Sequence, residues 1–88
     1  MQHVLKFAIN ANYKQTVLLP LGSEILHVGL DPQGETCIWT KSHPENELFP
    51  QTLYIIGTGE AIPPAADKYI GSFRDGPFMW HVYCGSNN

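Results

Sequence analysis

KYIGSFRDGPFMWHVY, at residues 68–83, is the stretch of sequence that decides the fold. Two short runs of apolar and aromatic residues flank the turn sequence Asp75-Gly76-Pro77, and this arrangement is typical of a β-hairpin. A comparable apolar run, LYIIGTG at residues 53–59, precedes the hairpin and contains two glycines at its end. Together these segments predict that the last third of the chain is made of β-strands.

The remainder of the chain shows the same pattern. No window of about ten residues or more holds the 3.6-residue apolar period of a helix, whereas short runs of β-forming residues recur between turn signals. We therefore predict a single all-β domain over residues 1–88, arranged as a small antiparallel meander, a sandwich or a barrel-like sheet. The predicted strands, about seven in number, cover residues 3–9, 15–20, 24–30, 36–41, 51–57, 69–74 and 78–84.

The connecting segments have chemistry of their own. Residues 10–12, NAN, predict a hairpin between the first two strands, and residues 31–34, DPQG, predict a second hairpin with proline and glycine at favoured turn positions. Residues 42–50 contain two prolines and two glutamates, so we expect an exposed loop that ends before the next strand. Residues 61–66, AIPPAA, are expected to form one helical turn at most.

Alternation along the last predicted strand places apolar residues on both of its faces. Phe78, Trp80 and Val82 point to one face, and Met79 and Tyr83 point to the other. Such a strand needs cover on both sides, and this short chain has no amphipathic helix to supply it. Charged residues are also scarce, at 15% of the chain, against roughly 25% in ordinary globular proteins. We therefore predict a homodimer or a higher homo-oligomer.

Composition also limits the partners. The chain has only five lysine and arginine residues and a net charge of -3, so we expect no binding to duplex nucleic acid, which requires a basic surface. No apolar run approaches the roughly 18 residues of a membrane span, and the N-terminus lacks the pattern of a signal peptide. The expected location is the cytoplasm, with no membrane partner.

Residue types that catalyse reactions or bind metals lack the spacing that such sites need. The four histidines and two cysteines form neither His-x-x-x-His nor Cys-x-x-Cys, so no metal site is predicted. Cys37 and Cys84 are expected to be free thiols. A nucleophile needs an adjacent base, yet Cys84 and His81 lie on opposite faces of one predicted strand. We predict that the protein is not an enzyme and has no cofactor.

Several residues are instead suited to binding a ligand. Gly57, Thr58 and Gly59 end an apolar strand, and a glycine-rich turn presents N–H groups that hold phosphate; alternatively, the glycines permit a bulge or a positive φ angle. The Arg74 guanidinium either grips a phosphate with two donors or pairs with Asp75.

Aromatic rings are more abundant than a small core needs, and such rings stack on nucleobases. His81, beside Trp80, either contacts a ligand through a neutral imidazole or is a satisfied structural histidine.

Five segments of the chain form a pattern with fixed spacing: residues 22–28 (GSEILHV), 37–39 (CIW), 56–59 (IGTG), 68–73 (KYIGSF) and 78–83 (FMWHVY). Taken together, these segments resemble a family of small proteins carried by tailed phages.

Small phage proteins of this kind are similar in size and in β architecture to anti-defence sponges, which sequester host cyclic oligonucleotide signals without cleaving them. The resemblance implies a pocket at an interface between copies, in the cytoplasm of the infected cell. Aromatic faces would hold the bases of a cyclic dinucleotide-like ligand, and backbone N–H groups with basic side chains would hold its phosphodiesters. The ligand-binding residues predicted on this basis are Arg74, Lys68, Gly57, Thr58, Gly59, Tyr69, Trp80, His81 and Trp39.

Two other functions stay open on the sequence. An inhibitor that binds a host defence protein directly uses an exposed aromatic patch instead of a pocket. A small structural or accessory phage protein uses sheet edges for assembly.

Overall fold

A computed structural model of the protein describes residues 1–85, and in this range the chain forms strands and turns without helices. The predicted all-β class and the number of strands are confirmed. Most strand boundaries agree with the prediction to within a few residues. The strands are β1 (His3–Ala8), β2 (Lys14–Pro20), β3 (Glu24–Leu30), β4 (Thr36–Ser42), β5 (Leu48–Gly57), β6 (Ala66–Asp75) and β7 (Phe78–Gly85).

The strands form two antiparallel sheets that pack face to face as a sandwich. The three-stranded sheet has the order β1-β4-β3, and the four-stranded sheet has the order β2-β5-β7-β6. A shared apolar core lies between the sheets, and each buried aliphatic side chain contributes about 1.5–3 kcal/mol. The buried core residues are Leu19, Val28, Ile38, Leu53, Ile55, Phe73 and Val82. One face of β7 is therefore covered by the chain's own second sheet.

The two sheets approach each other most tightly where β3 faces β6. A Cβ atom added to Gly71 would lie 2.7 Å from Val28 Cγ1, which is closer than carbon atoms can pack. β6 also has a register irregularity between Tyr69 and Gly71. Glycine at this position lets the Val28 side chain enter the space between the sheets.

Two of the predicted hairpins are confirmed. β6 and β7 are joined at Asp75 and Phe78 by a two-residue loop, with a φ of 59° at Gly76. A positive φ at the first loop position followed by proline is the geometry of a type II′ turn. β3 and β4 are joined through the DPQG turn, where the Gly34 N–H donates to the Asp31 carbonyl at 2.9 Å.

The hairpin predicted at residues 10–12 is wrong, because β1 pairs with β4 and β2 pairs with β5 in the other sheet. Residues 10–12 instead carry the chain from the three-stranded sheet to the four-stranded sheet. Its turn is held by local hydrogen bonds: the Asn12 N–H donates to Asn10 Oδ1 at 2.8 Å, and the Gln15 amide donates to the Asn10 carbonyl at 2.9 Å. Asparagine chemistry correctly predicted a turn but not which strands it connects.

The exposed loop predicted at residues 42–50 is shorter than expected. β4 runs through Ser42 and β5 already begins at Leu48. The Ser42 hydroxyl is buried and bonds the hydroxyls of Thr40 and Ser23, each at 2.7 Å. Pro50 is accommodated inside β5 because that part of the strand pairs with β2, whereas pairing with β7 starts only at Leu53.

The turn between β3 and β4 contains a buried carboxylate. Only 5% of the Asp31 side chain is exposed, and the Lys6 Nζ donates to its Oδ2 at 3.0 Å. Its Oδ1 accepts the N–H groups of Gln33 and Glu35, both at 2.9 Å. The hydrogen bond from Lys6, followed by these backbone N–H groups, lowers the pKa of Asp31.

Replacing Asp31 with Asn should change how stability depends on pH. The folded pKa of Asp31 lies below its unfolded value of about 3.9, so its stabilising contribution is present above about pH 4 and is lost as pH falls through the folded pKa. Asp31→Asn should therefore lower the unfolding free energy at neutral pH and flatten its decline in acid. Urea unfolding across the pH range measures both effects. Asp75→Asn, at an exposed position, is the control, and an unchanged acid profile in Asp31→Asn would contradict the assignment.

Replacing Gly71 with Ala should destabilise the sandwich by about 1–3 kcal/mol, because the new methyl group overpacks the core against Val28. Shortening Val28 to Ala in the same chain should recover part of that loss. Denaturant unfolding of the two single variants and the double variant measures the coupling. Strictly additive losses would show that the two positions do not compete for the same space.

Candidate functional site

The turn that follows β5, at residues 57–60, is the centre of the candidate site. The Glu60 N–H donates to the Gly57 carbonyl at 3.0 Å, and the Gly57 N–H donates to Glu60 Oε1 at 2.5 Å. Gly59 has a φ of 92°, which glycine adopts readily. A Cβ atom on Gly57 would meet Glu60 Oε1 at 2.6 Å and Trp80 Cζ3 at 3.2 Å. The positive φ angle favours glycine at position 59, and a side chain at position 57 would displace the Glu60 carboxylate.

Two cavities adjoin this turn and share Gly57, Thr58 and Glu60 in their walls. The larger one, which we call the notch, has a volume of about 400 Å³ and is completed by Pro77, Phe78, Met79 and Trp80. The smaller one, which we call the outer-face cavity, has a volume of about 260 Å³ and is completed by Ile56, Gly59, Ile62, His81 and Tyr83. The notch is within the range of about 300–1,000 Å³ that small-molecule sites occupy.

The notch exists because β7 continues past the end of β5. The last β5–β7 pair is Gly57 with Trp80, so Phe78 and Met79 have no partner in β5. The Phe78 and Trp80 rings lie 5.9 Å apart at an angle of 30°. Phe78 is 60% exposed and Met79 is 44% exposed. The notch therefore offers aromatic surface that the fold does not cover.

Trp80 belongs partly to the core. Its ring packs against the apolar cluster between the sheets while also lining the notch. Its indole Nε1 is buried and has no hydrogen-bond partner among the described residues. A buried donor without an acceptor costs about 1–3 kcal/mol, and this donor lies away from the Cζ3 edge that adjoins Gly57.

On the outer face of the four-stranded sheet, four side chains form a continuous hydrogen-bonded chain. The Tyr69 hydroxyl bonds Ser72 Oγ at 2.7 Å, and Ser72 Oγ bonds His81 Nδ1 at 2.9 Å. His81 Nε2 bonds Thr58 Oγ1 at 2.9 Å. Both ring nitrogens of His81 are thus satisfied by hydroxyls. A catalytic Ser-His pair relies on a carboxylate to orient the imidazole, and these ring nitrogens bond none.

The same outer face carries all four tyrosines of the chain. The rings of Tyr13 and Tyr54 meet edge to face at 6.0 Å, and those of Tyr69 and Tyr83 meet edge to face at 5.4 Å. Tyr54 packs with Ile56, Ala66 and Tyr83 in a second, smaller apolar cluster. The outer face is therefore apolar at its centre, as the alternation of β7 predicted, although the chain itself already buries part of it.

Most of the predicted ligand-binding residues gather at this end of the sheet. Gly57, Thr58, Gly59, Trp80 and His81 line the two cavities. Tyr69 reaches His81 through Ser72. Arg74 pairs with Met79 in the β6–β7 register, on the opposite face of the sheet from Phe78 and Trp80, and it lines neither cavity.

Lys68 and Trp39 lie elsewhere. Lys68 lines a separate cavity of about 350 Å³ near the other end of β6, together with Cys84. Burial raises the pKa of the Cys84 thiol, with a smaller opposing effect from Lys68, so the thiol is protonated and unreactive at neutral pH. Trp39 is in the three-stranded sheet, where its ring lies 5.5 Å from that of His27.

Glu60 and Ser72 were missed by the sequence analysis. The sequence does contain a signal for Glu60, which lies three positions after Gly57, the glycine that ends β5. Ser72 is opposite His81 because the two-residue hairpin loop sets a regular register from Asp75 to Ser72. The register irregularity between Tyr69 and Gly71 then brings Tyr69 onto the same face as Ser72, which strict alternation does not predict. The Glu60 carboxylate also occupies the Gly57 N–H that was expected to contact phosphate.

Within residues 1–85, no three His, Cys, Asp or Glu side chains lie close enough together to hold a metal ion. The same range contains no helix with the length and apolar character that crossing a membrane requires. Both cysteines are free thiols, as predicted.

Comparison with known proteins gives a family for the chain. No curated protein and no solved structure matches it. One family model matches over residues 1–88, the full length of the sequence. The chain therefore belongs to the family described as a domain of unknown function, DUF7352.

Proposed function

We propose that this protein is a phage anti-defence protein that binds a small cyclic nucleotide at the residue 57–60 turn and sequesters it without cleavage. In this role the protein acts in the cytoplasm of the infected host cell. The proposal combines the resemblance to small phage proteins with the geometry of the turn. The observation that carries it is the meeting of two cavities at one glycine-rich turn, where several independently predicted residues gather.

The chemistry of the two cavities favours a flat, partly polar ligand. The notch supplies the faces of Phe78 and Trp80, and base–aromatic stacking contributes about 1–3 kcal/mol per base. The outer-face cavity supplies the Thr58 hydroxyl, which bonds His81 Nε2 and, as a hydroxyl, retains further hydrogen-bonding capacity. Arg74, the register partner of Met79 across β7 from the turn, supplies a charge for phosphate.

Sequestration fits this site better than catalysis does. His81 is held between Ser72 and Thr58 and lacks an orienting carboxylate at either ring nitrogen, so Ser72 is not activated as it is in a catalytic triad. Paired carboxylates at hydrolytic spacing do not line either cavity, where Glu60 is the acidic residue. A ligand that enters is held by these groups and leaves unchanged.

We further propose that copies of the chain associate through the outer face of the four-stranded sheet. Tyr69, 54% exposed, and Leu18, 54% exposed, lie on that face around the buried cluster. Exposed apolar surface of this kind is usually covered by a partner. Association there would enclose the outer-face cavity and its His81.

A second candidate function is direct inhibition of a host defence protein. The tip of the β6–β7 hairpin favours it, because Phe78 and Met79 project with 60% and 44% exposure. Exposed aromatic side chains at a projecting tip are typical anchors of protein interfaces. Capture of a nucleotide by the purified protein separates the two functions.

Incubation with a panel of cyclic di- and trinucleotides should raise the melting temperature of the wild-type protein with at least one of them. Ligand at about one hundred times its Kd adds about 2.7 kcal/mol of stability. Arg74→Ala should weaken binding by about 1.5–3 kcal/mol, because a charge-assisted hydrogen bond to phosphate is lost. Lys41→Ala, which removes a positive charge from the three-stranded sheet, is the matched control. The proposal would be contradicted if no nucleotide in the panel raised the melting temperature. It would also be contradicted if the ligand were recovered in hydrolysed form.

Light scattering coupled to size-exclusion chromatography should report an assembly larger than one chain of 9.8 kDa. Tyr69→Glu places a charge on the outer face and should shift the assembly towards the monomer. Val4→Glu, at an exposed position on β1, is the control and should leave the assembly intact. A wild-type monomer at micromolar concentration would contradict the proposed interface.

A further inference from the structure

We propose that the notch selects a guanine base and that Glu60 is the residue that makes the selection. This inference rests on the proposed function, since it names the base that the nucleotide site takes. It is carried by the position of the Glu60 carboxylate in the wall of an aromatic cavity, next to Trp80.

The Glu60 carboxylate is held in place by the turn that it closes. Its Oε1 accepts the Gly57 N–H at 2.5 Å, which anchors the side chain against the end of β5. The point where a Gly57 Cβ would lie is 2.6 Å from this oxygen and 3.2 Å from Trp80 Cζ3. The carboxylate and the edge of the indole therefore lie next to each other beside Gly57, in the wall of the notch.

A carboxylate only accepts hydrogen bonds, and it has about four lone-pair sites for them. One of these sites is used by Gly57. A base in the notch must therefore present N–H donors to Glu60 while its ring lies against Phe78 and Trp80. An edge that presents an acceptor to the carboxylate is disfavoured, because two acceptors then face each other.

Guanine satisfies this requirement better than the other bases. Its N1–H and its N2 amino group are adjacent donors on one edge, so they match the two oxygens of a carboxylate. Adenine presents one amino donor beside an acceptor nitrogen, and cytosine does the same with a smaller ring to stack. Uracil has a single N–H between two carbonyl acceptors. The carboxylate thus discriminates by hydrogen bonding, and the rings supply stacking common to all purines.

The same carboxylate determines where the phosphate lies. A phosphodiester close to Glu60 would be repelled, since the two groups carry charges of one sign. Arg74 lies across β7 from the turn, in register with Met79. We therefore place the base at Glu60 and the phosphate at Arg74, instead of at the backbone N–H groups of the turn.

Calorimetric titration of wild-type protein with cyclic di-GMP and with cyclic di-AMP tests the inference. We expect cyclic di-GMP to bind at least about tenfold more tightly, in line with the discrimination that a bidentate base contact provides. GMP and AMP are titrated in a second arm of the experiment. We expect GMP to bind more tightly than AMP, and both to bind more weakly than the cyclic dinucleotides. This arm separates recognition of the base from recognition of a cyclic backbone.

Glu60→Gln is the decisive variant. The glutamine oxygen can still accept the Gly57 N–H, so the turn is preserved, but the second oxygen becomes an amino donor. The amide then complements the donor–acceptor edge of adenine, and the preference for guanine should fall or reverse. Glu47→Gln, in the loop between β4 and β5, removes the same charge away from the notch and should retain the guanine preference. Melting temperature without ligand verifies that each variant is folded.

The outcomes distinguish this inference from the proposed function. A guanine preference in the wild type that is lost in Glu60→Gln and retained in Glu47→Gln supports it. Equal binding of the two cyclic dinucleotides, or a guanine preference that survives in Glu60→Gln, overturns the role of Glu60 while leaving nucleotide capture intact. Absence of binding to any nucleotide in the full panel overturns both.

Discussion

The pairing of β5 with β7 ends at Gly57 and Trp80, and the candidate site depends on that ending. β5 cannot continue, because the φ of 92° at Gly59 turns the chain and Glu60 folds back onto the Gly57 N–H. β7 does continue, since its type II′ turn with β6 lies further out at Gly76 and Pro77. The unequal lengths of these neighbouring strands leave aromatic side chains without cover. A cavity at this position is therefore a consequence of strand pairing.

The four-stranded sheet has two different faces: the inner one packs against the other sheet, and the outer one buries only a small cluster around Tyr54 and Ile56. The inner face packs against the three-stranded sheet so closely that Gly71 has no room for a side chain. The outer face carries the four tyrosines and the hydrogen-bonded chain that runs from Tyr69 to Thr58. In each tyrosine pair one ring is about half exposed, Tyr13 or Tyr69, and the other is at least partly buried, Tyr54 or Tyr83. The exposed rings are the reason that we propose this face as the surface where copies associate.

Local chemistry predicted the parts of the fold that depend on neighbouring residues. The DPQG turn and the Asp75-Gly76-Pro77 turn are where the sequence placed them, since proline and glycine restrict the backbone directly. The NAN segment was assigned to a hairpin from its turn chemistry. The same chemistry is equally compatible with a crossing between sheets. That choice depends on which strands pair, and pairing between distant segments leaves no local signal.

The sequence likewise predicted those parts of the candidate site that depend on local patterns. The glycine turn, Trp80 and His81 were found from the sequence because they follow one strand or alternate along another. Lys68 and Trp39 were grouped with them on residue type alone, and the structure separates them because one is at the far end of β6 and the other is in the second sheet. Glu60 was overlooked because an exposed glutamate after a turn is ordinarily a solvated surface residue.

The distribution of charge along the chain bears on the ligand that we propose. Of the five basic side chains, Lys6 and Lys41 lie beside carboxylates and Lys14 lies over the Tyr54 ring. Arg74 lies across β7 from the residue 57–60 turn, in register with Met79. The proposed ligand uses this separation: its base meets Glu60 at the turn, and its phosphate meets Arg74. A long polyanion would need more cations than this arrangement supplies, which is why we propose a small nucleotide as the ligand.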